Sequence, residues 1–161
     1  MIFRKAMKNE IEGLFMEGYK VWSKNRSFEQ YCIDNGKEDA YGTRYVIDEN
    51  GEIVSSMILL NLKSILERKV YGIGSVITPK LHGHKGYASK LLTQSIEEHT
   101  EKESIIFLYS DVHPSFYEQF LFRALPDYLQ KGKSGICMVR CEESIWSQLI
   151  KSPLDIIPDY F

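Results

Sequence analysis

The sequence predicts an α/β fold of the α+β kind: one mixed, mostly antiparallel sheet flanked by helices. Three observations lead there. Two strand-like runs flank Glu49-Asn50-Gly51, and Asn-Gly is a strong hairpin signal. An amphipathic helical run, Ala88–His99, is followed by the unbroken apolar run Ser104–Ser110, as expected of a central strand buried on both faces. Helices and strands do not alternate regularly, which excludes a doubly wound nucleotide fold.

The elements follow in order. Met1–Ala6 reads as a short first strand. Asn9–Trp22 carries Ile11, Leu14, Phe15, Tyr19 and Trp22 at helical spacing. Ser27–Gly36 reads as a second helix, with Ser27 as N-cap, Gln30 three positions on and Gly36 as its stop. The hairpin strands follow, the second running through Met57–Leu62, and Lys69–Thr78 is a third strand. The next helix places Ala88, Leu91, Leu92, Ile96 and His99 on one face, interrupted by Ser95. After the central strand, His113–Phe120 reads as a short helix with Pro114 in its first turn. Ala124–Gln130 and Gly135–Cys141 read as a final strand pair. The tail Ser152–Phe161 is apolar and broken by two prolines, and is expected to pack on something, a second subunit included.

The chain has 161 residues, enough for a single domain spanning 1–161 with one sizeable core. A formal net charge of −2 gives no basic field for nucleic acid or an anionic membrane surface. The longest apolar stretch, Met57–Leu62, is far too short to span a bilayer. Cys32, Cys137 and Cys141 match no zinc framework and are read as reduced thiols of a cytoplasmic protein. The start of the chain has no apolar run of a signal peptide.

The chemistry concentrates in "HGHKGYAS", His82–Ser89, between the third strand and its helix. The first amides of a helix lack intrahelical acceptors and carry partial positive charge. Gly83 and Gly86 remove side chains that would block approach to them, and Lys85 adds a full charge, so the loop suits a pyrophosphate. A plain turn and a His82/His84 metal site are the alternatives; the Walker pattern does not fit, because Lys85 precedes the second glycine. Gly72 and Gly74 inside the preceding strand mark a bulge or a close backbone approach. The central strand ends in the polar "YSDVHP". The sheet is therefore expected to open between Lys69–Thr78 and Ser104–Ser110.

"SVITPKLHGHKGYASKLL" (Ser75–Leu92) and "LYSDVHPSFYEQFLF" (Leu108–Phe122) together resemble the GNAT superfamily of N-acetyltransferases. The first is similar to its acetyl-CoA motif, the second to its "FYEKxGF"-type helix, and "LYSD…FY" is also similar to the fungal-type lysine N-acetyltransferases. The resemblance implies a splayed GNAT-like sheet and acetyl transfer from acetyl-CoA to a primary amine of a small molecule, peptide or protein, without metal. It implies that Val76 and Ile77 pair through their backbone with the pantetheine arm and thioester carbonyl. His84, Lys85, Gly86, Tyr87, Ala88 and Ser89 would cradle the pyrophosphate, and Ser110 would lie near the pantetheine. Tyr117 would be the general acid for the departing thiolate. The glutamate base common on the third strand has no counterpart in Lys69–Thr78, and Asp111 and His113 are the nearest candidates. Asp111 also reads as a helix cap, Tyr117 as a core aromatic and His113 as a turn residue. Two departures stand out: Gly83 and His84 replace the motif's Arg/Gln and the following Gly, and Leu121 replaces a Gly that takes φ > 0. Either Leu121 adopts that conformation, at about 1–2 kcal/mol, or the helix continues. A GNAT-fold module that binds acyl-CoA without catalysis and an unrelated interaction domain are the competing readings.

Overall fold

Asn50 and Gly51 take φ values of +55° and +86°, the left-handed pair that a tight two-residue hairpin needs. They join β2 (Gly42–Glu49) to β3 (Glu52–Ile65), and β1 (Ile2–Lys5) pairs antiparallel on the other side of β2. In this computed structural model, which describes residues 1–132 and 134–161, β3 turns into β4 (Arg68–Ile77) through Leu66 and Glu67, also left-handed at φ +51° and +59°. The strand order is β1-β2-β3-β4-β5-β7-β6, with β5 at Ile105–Ser110, β6 at Arg123–Ala124 and β7 at Ile136–Arg140. β5 runs parallel to β4 and antiparallel to β7.

The helices are α1 (Ile11–Trp22), α2 (Phe28–Gly36), α3 (Tyr87–His99), α4 (Ser115–Glu118) and α5 (Glu143–Leu149). Ser27 caps α2 by accepting from the Gln30 amide at 3.1 Å. α2 ends at Gly36, though not through a left-handed glycine stop. The Gly36 φ is −63°, and the chain runs on as a 3-10 turn through Lys37–Ala40. Ala124–Gln130 is not a full strand either: only Arg123–Ala124 pair with β7, because Pro126 cannot donate to a ladder and Asp127–Leu129 coil into a 3-10 turn. α5 is an element the sequence reading left out; at seven residues it is too short for its periodicity to stand out.

Two compact units emerge, with β3 and β4 contributing to both. The first, Met1–Leu60 with Ser75–Glu98, buries Leu14, Phe15 and Tyr31 of α1 and α2, Val46 and Ile47 of β2, Met57 and Ile58 of β3, and Leu91 and Leu92 of α3. Gly18 is required here, since a Cβ at that position would collide with the Tyr31 hydroxyl. The second, Asn61–Gly74 with His99–Phe161, is built on Val70, Ile105, Phe107, Leu129, Val139 and Leu149. Its tail packs on its own chain. The Phe161 ring fills the notch left by Gly72, where a Cβ would lie 2.8 Å from the ring. Tyr160 and Phe161 stand edge-on to Tyr109, whose hydroxyl donates to the Pro158 carbonyl. All three cysteines are free thiols. Among the described residues, no helix is long and apolar enough to cross a membrane.

Candidate functional site

β4 pairs with β5 over Val70–Ile73 and Ile105–Leu108. Just beyond, Ser75 takes φ +50°. A side-chain-bearing residue rarely adopts this inside a strand, and it kinks β4 as a bulge would. Val76 and Ile77 follow the kink, both half-buried. The Ile77 carbonyl already accepts from the Ser55 hydroxyl at 3.2 Å, and Ser55 shares a second hydrogen bond of 2.9 Å with Thr78. The backbone of Val76 and the Ile77 amide are therefore the groups of this pair best suited to an extended ligand.

The loop after β4 turns through a 3-10 segment at Lys80–His82 and then alternates in hand. His84 has φ +61° and Gly86 has φ +80°, while Lys85 between them is not left-handed. Alternation of this kind aims successive amides into one concavity, a backbone nest for anions. The Lys90 amide donates to the Gly86 carbonyl at 3.0 Å, so the amides of Tyr87, Ala88 and Ser89 precede the helical ladder of α3. His84, Lys85 and Gly86 are exposed; Tyr87, Ala88 and Ser89 are half-buried. A Cβ at Gly86 would meet nothing within 4 Å, so Gly86 serves conformation rather than space. The two histidines differ: His82 Nε2 bonds Glu52 Oε1 at 2.9 Å, and His84 is exposed. A cradle of free helix-start amides beside a lysine fits a diphosphate group.

In the second unit, β5 ends at Ser110, which is buried and donates its hydroxyl to the Val112 carbonyl at 2.6 Å. Asp111 follows, exposed. It is not the cap of α4. Pro114 holds that position, and His113 Nδ1 accepts from the Ser115 amide at 3.2 Å while bonding the Ser115 hydroxyl at 2.9 Å. Tyr117 is 9% exposed and packs edge-on to Phe116 and Phe122. Burial, helped by the Asp111 carboxylate, pushes its hydroxyl up to about 12. Gly135, which sequence reasoning passed over, presses on this strand end. It has φ +70°, and a Cβ there would lie 2.7 Å from the Ser110 carbonyl oxygen. The chain thus groups Val76, Ile77 and His84–Ser89 along one strand–loop–helix, and Ser110, Asp111 and Tyr117 along another.

Solved structures of similar fold include Escherichia coli ElaA, at 20% identity over 86% of this chain and 98% of that one, with a TM-score of 0.65. The GNAT family N-acetyltransferase YhbS of Escherichia coli, in complex with CoA, is 13% identical over 86% of this chain and 79% of its own, with a TM-score of 0.66. N-acetylglutamate synthase of Neisseria gonorrhoeae, complexed with coenzyme A and N-acetyl-glutamate, is 16% identical over 86% of this chain, which spans only 34% of that protein; the TM-score is 0.62. At these identities the likeness speaks for the fold. No curated protein matches the chain by sequence. Residues 3–124 match the family model of the acetyltransferase (GNAT) domain, and the chain belongs to that family.

Proposed function

We propose that this GNAT acetyltransferase is acetyl-CoA-dependent and moves the acetyl group to a primary amine. The observation that carries the reading is the alternating-hand loop at His84–Gly86, opening directly onto the free amides of α3. His84, Lys85, Gly86, Tyr87, Ala88 and Ser89 would hold the pyrophosphate, Val76 and Ile77 the pantetheine and thioester through their main chain. Ser110 would contribute through its remaining lone pairs and main chain, since its proton is committed to Val112. The CoA carried by the similar YhbS and N-acetylglutamate synthase structures supports the donor.

The reaction balances simply. The unprotonated amine attacks the thioester carbonyl, a C–N bond forms and the C–S bond breaks. The departing thiolate takes a proton from Tyr117, and the proton shed by the acylated nitrogen as it becomes the amide restores the Tyr117 hydroxyl through solvent. An alkylammonium has a pKa of roughly 10.4, so freeing its lone pair at pH 7 costs about 4–5 kcal/mol. Asp111, exposed at the end of β5, is the proposed acceptor of that proton.

Gly86→Asp tests the cradle. Aspartate strains a φ of +80° and puts negative charge where the diphosphate would sit. Isothermal titration with acetyl-CoA is expected to show binding by the parent protein and none by the folded variant. Equal affinity in both means that the loop is only a turn.

A further inference from the structure

A cavity of about 910 Å³ opens along one side of α1, wholly within the first unit. Its helical wall is the stripe Gly13, Leu14, Glu17 and Val21, and its floor includes Ile53 and Ile77. This volume suits a small organic molecule.

Gly13 is the telling residue. Glycine inside a helix is destabilising relative to alanine, and is kept where something must come close. Five residues on, Gly18 has such a reason in Tyr31. Gly13 has none within the protein: a Cβ there would meet nothing within 4 Å. What its missing side chain provides is room in the cavity.

The charges around the cavity are largely matched. Glu10 is held by Arg4 at 2.7 and 2.9 Å and accepts from the Met7 amide. Glu17 pairs with Lys20 at 2.7 Å, Glu52 hydrogen-bonds the His82 ring at 2.9 Å, and Lys80 adds a cation to the lining. The site holds no surplus of one sign to reward a polycation or a polyanion. Between these groups the surface is apolar, with Leu81 at the lip 78% exposed.

We propose that this cavity is the acceptor site and takes a small amine with an apolar body, an alkylamine or arylalkylamine. The proposal rests on the acetyl-CoA reading, through Ile77, whose main chain that reading assigns to the thioester and whose residue lines the cavity.

The test is a steady-state panel of hexylamine, benzylamine, spermidine, glutamate and a lysine-containing peptide, with the parent protein, Gly13→Ala and Gly13→Phe. The expected result is that hexylamine or benzylamine has the highest kcat/KM. Gly13→Phe should raise its KM at least tenfold with the acetyl-CoA Kd unchanged, and Gly13→Ala, which adds only a Cβ to the same wall, should raise it by less. Spermidine, glutamate or the peptide as the best acceptor overturns the proposal, as does a Gly13→Phe protein with unaltered acceptor KM. Val21→Trp, at an exposed position on the same wall, serves if Gly13→Phe does not fold. Ligand-observed NMR with benzylamine alone reads the cavity independently of acetyl-CoA. Saturable binding that Gly13→Phe abolishes supports the site, and no binding overturns it. Failure of acetyl-CoA to bind the parent sinks the donor reading instead.

Discussion

Tyr117 has two physical identities, a ring that fills the second unit and a hydroxyl that holds its proton. The ring is 9% exposed against Phe116 and Phe122. With its pKa raised to about 12 by burial and Asp111, the hydroxyl stays protonated wherever an amine acceptor can be assayed. Phenylalanine keeps the ring and deletes the donor. Tyr117→Phe is expected to fold, to bind acetyl-CoA within about twofold of the parent, and to lose on the order of 10²–10⁴ in kcat. A loss below about threefold makes Tyr117 a packing residue. The sequence named Tyr117 through its motif, and the cap reading it offered for Asp111 does not hold for α4, whose N-cap position is Pro114. How the turn folds decides which side chain meets the first amide of α4, and His113 Nδ1 accepts from the Ser115 amide.

At the scale of the element, Leu121 is the clearest case of a motif departure with a structural outcome. It lies in the turn that follows α4, at φ +67°, with its amide bonded to the Glu118 carbonyl and the Phe122 amide reaching back to the Tyr117 carbonyl. The backbone keeps the glycine conformation although the side chain has changed. Leu121 is 70% exposed, so removing the side chain forfeits little burial. Leu121→Gly is expected to stabilise the protein by about 0.5–1 kcal/mol, the relief of left-handed strain less glycine's extra unfolded-state entropy. Urea denaturation measures it, and a destabilised variant would mean that the leucine contributes packing that its exposure does not suggest. The Leu66–Glu67 turn was illegible for the same reason: neither residue advertises φ > 0, and the pairing of β3 with β4 imposes it.

Across the whole molecule, carboxylates pull stability in opposite directions with pH. Arg4 bonds Glu10 and Asp48 and holds both carboxyls below their ordinary values. Their contribution is present above the unfolded values and is lost as pH falls through the folded ones. Glu38 behaves oppositely. One of its carboxylate oxygens is buried with no partner, and desolvation raises its pKa against the pull of Arg44. The folded chain then keeps a proton that the unfolded chain releases, so this group costs stability as pH rises from its unfolded value through the raised one. Glu38→Gln removes the buried charge. Calorimetry is expected to give a higher Tm for the variant at about pH 7.5, with the gap closing towards pH 4, near the ordinary glutamate value. A gap that does not change with pH would tie the effect to packing or hydrogen bonding instead of charge.

What the sequence by itself determined was local: the Asn50–Gly51 hairpin, the Ser27 cap, the faces of α1 and α3, the buried run of β5, and the two motif segments that resemble the family. Each is fixed by a residue's own backbone preference or by a periodicity spanning a few turns, which a linear reading can see. Tertiary structure decided the rest. It set the kink at Ser75, the left-handed His84 and Leu121, the seat of Phe161 in the notch at Gly72, and the cavity beside Gly13. These arise where distant segments meet. A non-glycine residue takes φ > 0 only when surrounding packing and hydrogen bonds outweigh its strain. A glycine's meaning depends on what stands opposite it, so Gly13 and Gly18 read alike in the chain and differ only once Tyr31 is in place.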